Sequence, residues 1–299
     1  MIPTPMKLSL APNWWPADRN AQQQWLEHAG ASPAQRLYLG ESVCALRDRM
    51  APRTLLALAE TLNSMGKQVI LSSLSLVASD KDLALLNSLG QQDQFAIEAN
   101  DMAAVALAHE RGLPFVAGSG LNIYNLEGIR WLLSLGMIGY QPPLEMAAET
   151  LSILMAQCEQ AGLRQQFELE LMAYGSPPLA VSARCASARV AGRNRQRCEK
   201  SCQHTGAQLA STLEGQPILR LNGVQIHGHA PIDLLGDLNA LRQLGIDWLR
   251  LDLGPAPDWD WLPTLQQALQ ESHPGVTAPQ PGIQHFWQRQ AGDVALFGD

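Results

Sequence analysis

The chain reads as an α/β protein, a (β/α)8 TIM-like barrel with a cysteine-containing insertion after its seventh strand. Three observations lead there. Short apolar or alternating runs are followed, one after another, by amphipathic stretches of helical spacing. Eight such units fill about 250 residues, the usual size of a closed barrel. No G-x-G-x-x-G follows the first run, which removes the main signature of an open doubly wound sheet.

The expected strands are Lys7 to Ala11, Arg36 to Gly40, Gln68 to Ser73, Phe95 to Ala99, Pro114 to Gly118, Met137 to Gln141, Gln166 to Tyr174 and Asp247 to Leu253. Each is brief and bounded by Gly, Pro, Asn or polar residues. A helix from Ala21 to Ala29 separates the first two strands. Pro52 to Met65 sets Leu55, Leu56, Ala59 and Leu62 on one stripe, and Asp80 to Leu89 repeats Leu83, Leu86 and Leu89. Asp101 to Arg111 stops at Gly112 and Pro114. Asn125 to Leu135 and Leu144 to Ala161 each end before a glycine. Pro231 to Leu244 ends at Gly245, and Asp258 to Glu271 is the last helix.

Residues 1–299 are thus expected to form one barrel domain, interrupted from Gly175 to Ala230. That segment holds Gly175-Ser-Pro-Pro178, a basic stretch with three cysteines, and a hairpin of Thr205 to Leu213 with Gln216 to His229 around Glu214-Gly215. It leaves the C-terminal end of a strand, the face on which barrel enzymes carry their chemistry. The tail from Ser272 to Asp299 is expected to wrap the barrel, with Phe286 and Trp287 as anchors.

Composition narrows the function. In 299 residues, 46% are hydrophobic and 16% charged, enough for a full core. A net charge of −7 removes the usual electrostatic reason to propose nucleic acid as a partner. The chain contains no apolar run of spanning length, and its start lacks the basic and apolar regions of a signal peptide. A cytoplasmic location is therefore expected, where thiols stay reduced and cysteines serve as ligands, catalysts or core.

Cys185, Cys198 and Cys202 lie within the insertion, and Cys44 follows the second strand in L-Y-L-G-E-S-V-C. In a barrel both places are on the C-terminal face, so four thiols fall on one side. They suit zinc or an iron–sulfur cluster, and the irregular layout, with one C-x-x-x-C pair and two solitary cysteines, favours the cluster. Cys158, inside a helix, reads as a buried hydrophobe. Of the basic residues nearby, Arg184 and Arg189 flank Cys185 and are candidates to hold a carboxylate. Arg193, Arg195, Arg197 and Lys200 read as solvated surface.

Other strand ends offer Glu41, Glu98, Asn100, Asn122, Tyr124, Asn125, Gln141, Glu168, Glu170 and Tyr174. Asn122, Asn125 and Tyr174 are expected to orient polar groups of a substrate. Glu98 and Glu170 point toward the barrel mouth, either as a base with raised pKa or, more often for such residues, paired with a cation. His227 and His229 share a strand face but lack a third ligand. No nucleophile elbow, H-E-x-x-H or P-loop occurs.

L-Y-L-G-E-S-V-C, E-A-N-D, L-P-F-V-A-G-S-G-L-N-I-Y-N, Y-G-S-P-P-L-A-V-S-A-R-C, C-E-K-S-C and I-L-R-L-N-G-V-Q resemble the collagenase-like peptidase family, on its ubiquinone-biosynthesis branch. The resemblance runs through nearly the whole chain and weakens after about Ser272. It implies a [4Fe–4S] cluster on Cys44, Cys185, Cys198 and Cys202, a heterodimer with a UbiU-like homologous subunit, and cooperation with UbiT, a sterol-carrier-like lipid-binding protein. The implied reaction is oxygen-independent hydroxylation of a ubiquinone-precursor ring, with prephenate as hydroxyl donor. The peptidase label of the wider family finds no nucleophile–base pair or zinc motif here. The alternative is a non-catalytic module whose cluster is structural or passes electrons to a catalytic partner. Eight tryptophans are many for this length. Trp14-Trp15, Trp259, Trp261 and Trp287 are candidates for interface anchors or, more simply, for core.

Overall fold

The structure, a computed structural model, describes residues 5–284 and 286–290. Eight parallel strands close into a barrel. They are β1 (Lys7–Leu10), β2 (Arg36–Leu39), β3 (Gln68–Ser72), β4 (Ala96–Ala99), β5 (Phe115–Ala117), β6 (Met137–Tyr140), β7 (Glu168–Gly175) and, late in the chain, β13 (Trp248–Leu251). Closure is made where β1 pairs with β13, Lys7 opposite Trp248 and Leu10 opposite Leu251. Between the strands run α1 (Arg19–Ala31), α2 (Pro52–Ser64), α3 (Asp80–Leu89), α4 (Met102–Arg111), α5 (Leu126–Ser134) and α6 (Ala148–Gln160).

Local chemistry sets these limits. Asp18, Ser79, Asp101 and Asn125 cap α1, α3, α4 and α5 by accepting from a free backbone N–H of the first turn. Pro52 begins α2, where its missing N–H costs nothing. α4 ends on Gly112 in the left-handed region. Alternation along each strand then sorts the side chains. Leu8, Leu10, Leu37, Leu39, Ile97, Leu169 and Leu249 face outward into the main core beneath the helices. Tyr38, Ile70, Ala96 and Val116 face inward.

The insertion forms a lobe of its own. It contains β8 (Pro178–Val181), α7 (Ala186–Val190), α8 (Ser201–Thr205), β9 (Gln208–Ser211), β10 (Pro217–Asn222) and β11 (Gln225–Gly228). Its antiparallel sheet runs in the order β8-β11-β10-β9. The expected hairpin at Glu214-Gly215 joins β9 to β10, and a second turn at Gly223-Val224 joins β10 to β11. Gly223 has φ +70°, as the first central position of a two-residue hairpin requires, and a β-carbon there would sit 3.1 Å from Arg47 Nη2.

Three expected helices are shorter than their patterns. Residues from Pro231 do not start a helix: β12 (Ile232–Asp233) pairs antiparallel with Tyr174 and Gly175 of β7, and Ile283 takes the backbone groups of Pro231 and Asp233. The helix, α9 (Leu238–Gln243), begins only where Asp237 caps it. The apolar spacing was real, but strand and tail claim those backbone groups first. α6 starts at Ala148, whose N–H donates to Trp287 O, rather than at Leu144. α10 (Leu262–Gln270) starts beside Pro263 rather than at Asp258. Trp287 packs on the main core. Residues 291–299 of the expected wrap lie outside the described residues. Among the described residues no helix is long and apolar enough to cross a membrane.

Candidate functional site

Cys44 lies on the loop after β2, and Glu41 shapes that loop. Its Oε1 accepts from the N–H of Val43 at 2.7 Å and of Cys44 at 3.0 Å. Cys185 caps α7, its Sγ accepting from Ala188 N at 3.4 Å. Cys198 closes a single 3-10 turn over Arg195–Arg197, and Cys202 lies in α8. Between the last two, Glu199 and Lys200 both take positive φ, 46° and 53°. Two left-handed residues in a row are costly without glycine and persist only where surroundings hold them. Here Lys200 pairs with Asp48, and Glu199 meets Arg193 at 2.8 Å.

The four thiols come together. Cys44, Cys185 and Cys198 share a small apolar cluster with Trp14, Val43 and Met172. Burial pushes the Cys185 thiol up, and Cys202, Cys44 and Cys198 push it further by repulsion. Burial also raises Cys44, while Arg195 opposes it. All four are free thiols, and Cys158 stands apart in the main core. Among the described residues no three His, Cys, Asp or Glu side chains are close enough together for a single metal ion. Four cysteine thiolates are the donor set that a [4Fe–4S] cluster takes, one to each iron. Neighbouring thiolates in an apolar pocket repel one another, so the donor set fits a polycationic group and leaves Cys158 out.

Arg195 corrects the reading of the basic stretch as surface. It is 9% exposed, and its Nη2 donates to Asp82 Oδ1 at 2.6 Å and to Cys44 Sγ at 3.8 Å. Arg193 reaches Cys198 O at 3.4 Å. Arg184 and Arg189 are exposed, and among the described residues their side chains make no hydrogen bond or ion pair. Asn125 caps α5 and is exposed. Tyr174 lies in the outer core against Trp261, ring centroids 5.4 Å apart. Of the five candidates for substrate contact, only Asn122, left-handed at φ 55°, lines the cavity at the barrel mouth. The structure does not bring the five together.

Inside the barrel a second constellation appears. Glu170 is fully buried and accepts from Ser9 Oγ at 2.8 Å, Arg36 Nη1 at 2.7 Å, Tyr38 OH at 2.6 Å and Arg250 Nη1 at 3.3 Å. Arg250 also pairs with Glu98 at 2.6 Å, and Arg36 with Glu168. Burial alone would push the Glu170 carboxyl up, but the two guanidiniums outweigh it and hold it low. Glu170 is therefore a paired anion, not a base of raised pKa. Arg36, Tyr38 and Arg250 were missed from sequence, although Arg36 and Tyr38 stand two apart on one strand face. His227 is buried against Trp14 and Trp15 and hydrogen-bonded to Ser176 O at 3.1 Å.

A closed barrel whose seventh βα connection carries a cysteine-bearing lobe over the C-terminal face defines the class of this molecule. The model of Peptidase family U32 matches residues 22–252, all four cysteines included, and the chain belongs to that family. Among solved structures, dihydropteroate synthase from Vibrio fischeri superposes with a TM-score of 0.42 and 10% identity over 89% of this chain and 93% of that one. Dihydropteroate synthase from Thermus thermophilus gives 0.41 and 13% over the same shares. The 3-dehydroquinate dehydratase from Aquifex aeolicus gives 0.34 and 16% over 56% and 78%.

Proposed function

We propose that the chain is the iron–sulfur subunit of an oxygen-independent hydroxylase of ubiquinone-precursor rings, a UbiV-like protein working with a UbiU-like subunit in the cytoplasm. One observation carries the iron–sulfur part: a barrel loop and the insertion, distant in sequence, bring Cys44, Cys185 and Cys198 into one apolar cluster, with Cys202 near enough to raise the Cys185 thiol, and leave Cys158 outside it. The substrate ring, prephenate as donor and UbiT as lipid-binding partner come from the resemblance in motifs. Membership in family U32 supports the family but does not select among its reactions.

Cys44, Cys185, Cys198 and Cys202 would hold a [4Fe–4S] cluster, which supplies one-electron transfer when bound. Around it this chain's residues have distinct work. Glu41 fixes the Cys44 loop through two backbone N–H groups. Arg195 sets a positive charge beside Cys44 and is itself fixed by Asp82. Trp14 and Met172 shield the thiols and also line the barrel-mouth cavity, so a bound ring lies one side-chain layer away.

The test is anaerobic reconstitution of the pair with prephenate and a prenylated precursor. Hydroxylation is expected with the wild-type chain. A Cys198→Ala chain that folds and pairs normally is expected to be inactive. Full activity from that variant, cluster lost, would reduce this chain to a structural partner.

A further inference from the structure

A cavity of about 360 Å³ opens at the C-terminal mouth of the barrel, under β8. That is within the range of small-molecule sites. Its walls differ. Trp14, Met172 and Leu179 give an apolar side, while Ser42, Glu98 and Arg250 stand among its polar groups.

Two buried atoms on the polar side have no hydrogen-bond partner among the described residues. Glu98 is 1% exposed, and its Oε1 accepts from Arg250 Nη2 at 2.6 Å and Gln141 Nε2 at 3.4 Å. Its Oε2 has nothing, and neither has Ser42 Oγ. A buried carboxylate oxygen without a donor bears its full loss of hydration, so a ligand that donates to it gains that back. The charge of the site narrows the donor. Of the charged side chains that line the cavity, Glu98 and Glu145 are carboxylates and Arg250 is the guanidinium. Arg250 is already engaged by Glu98 and Glu170, so an incoming carboxylate meets repulsion without an unpaired guanidinium to offset it.

We propose that this cavity binds an uncharged ring compound by hydroxyl groups on one edge, and that Glu98 selects hydroxyl over carboxylate. The ring's face lies on the Trp14 and Leu179 side, and one hydroxyl donates to Glu98 Oε2 with Ser42 beside it. This deepens the proposed function by naming what the barrel mouth accepts, and rests on that reading only for the reaction that follows. A dicarboxylate co-substrate has its place outside this cavity.

The probes are benzene-1,2-diol and 2-hydroxybenzoate, similar in size and different in charge. Both are titrated calorimetrically into the anaerobically purified full chain, its Cys44→Ala form, Glu98→Gln and Ser42→Ala, with thermal melts as a check of folding. The diol is expected to bind wild type at least about tenfold more tightly than the carboxylate, the usual scale for a hydrogen bond to a charged group. Glu98→Gln is expected to erase that gap. Because Glu98 also holds Arg250, Ser42→Ala serves as the variant that leaves the ion pair alone, and it is expected to weaken the diol several-fold without strengthening the carboxylate. Equal binding of the two probes, tighter binding of the carboxylate, no diol binding at millimolar concentration, or unchanged diol affinity in Ser42→Ala would overturn the inference. The preference should persist in Cys44→Ala, so loss of iron and loss of selectivity are read separately.

Discussion

Cys44 and Arg195 are 151 residues apart and meet at 3.8 Å. Neither the contact nor the burial of Arg195 could be read from a stretch holding five arginines and a lysine. Charge density there suggested surface, and proximity to Cys185 favoured Arg184 and Arg189, yet topology buries Arg195 instead. The cysteines were more legible, because a strand-end position in a barrel already implies the face it lies on. Replacing Cys44 by Ala is expected to remove iron and sulfide together, whereas Cys158→Ala leaves both, as metal analysis of the purified variants would show. Glu170 allows a stability prediction. Glu170→Ala leaves Arg36 and Arg250 short of a buried partner and is expected to cost about 3–5 kcal/mol in chemical denaturation. A loss below about 1 kcal/mol would mean that water replaces the carboxylate at little cost.

At the scale of elements, the eight strands and most helices follow from period and capping, which are local. What failed was local pattern under non-local competition: apolar spacing after Pro231 became β12 because β7 and the tail offered backbone partners. The contacts that dock the insertion were equally invisible. His227 of β11 packs on Trp14 and Trp15, Asn222 of β10 donates to Trp14 O at 2.9 Å, and Gln225 reaches Ser75 Oγ at 2.7 Å. Burial, with Arg47 and Arg220 nearby, holds His227 down to about 4, against the opposing hydrogen bond to Ser176. Its folded pKa lies below the unfolded value, so its neutral form favours folding above about pH 6.5. That contribution is lost as pH falls from there through about 4. Melting temperature is thus expected to drop more steeply between about pH 6.5 and 4.5 in the wild type than in His227→Gln. Parallel curves would place the acid sensitivity elsewhere.

For the whole molecule, composition and alternation were enough to predict the barrel, but assembly was not written in them. Trp14, Trp15 and Trp261 are buried and are no surface anchors, while Trp259 is partly buried against Trp25. Trp131 of α5, at 51%, and Ile153 of α6, at 54%, are exposed instead, on helices that touch. If the proposed pairing holds, co-expression with a UbiU-like chain under anaerobic conditions gives a heterodimer in size-exclusion chromatography, and a monomer refutes it. The central claim is the shared pocket of Cys44, Cys185, Cys198 and Cys202. Its most direct test is iron, acid-labile sulfide and zinc per chain after anaerobic purification. About four irons and four sulfides are expected, without zinc, and lost together when any one of the four cysteines is replaced. Stoichiometric zinc without sulfide, or full iron in Cys44→Ala, would contradict it.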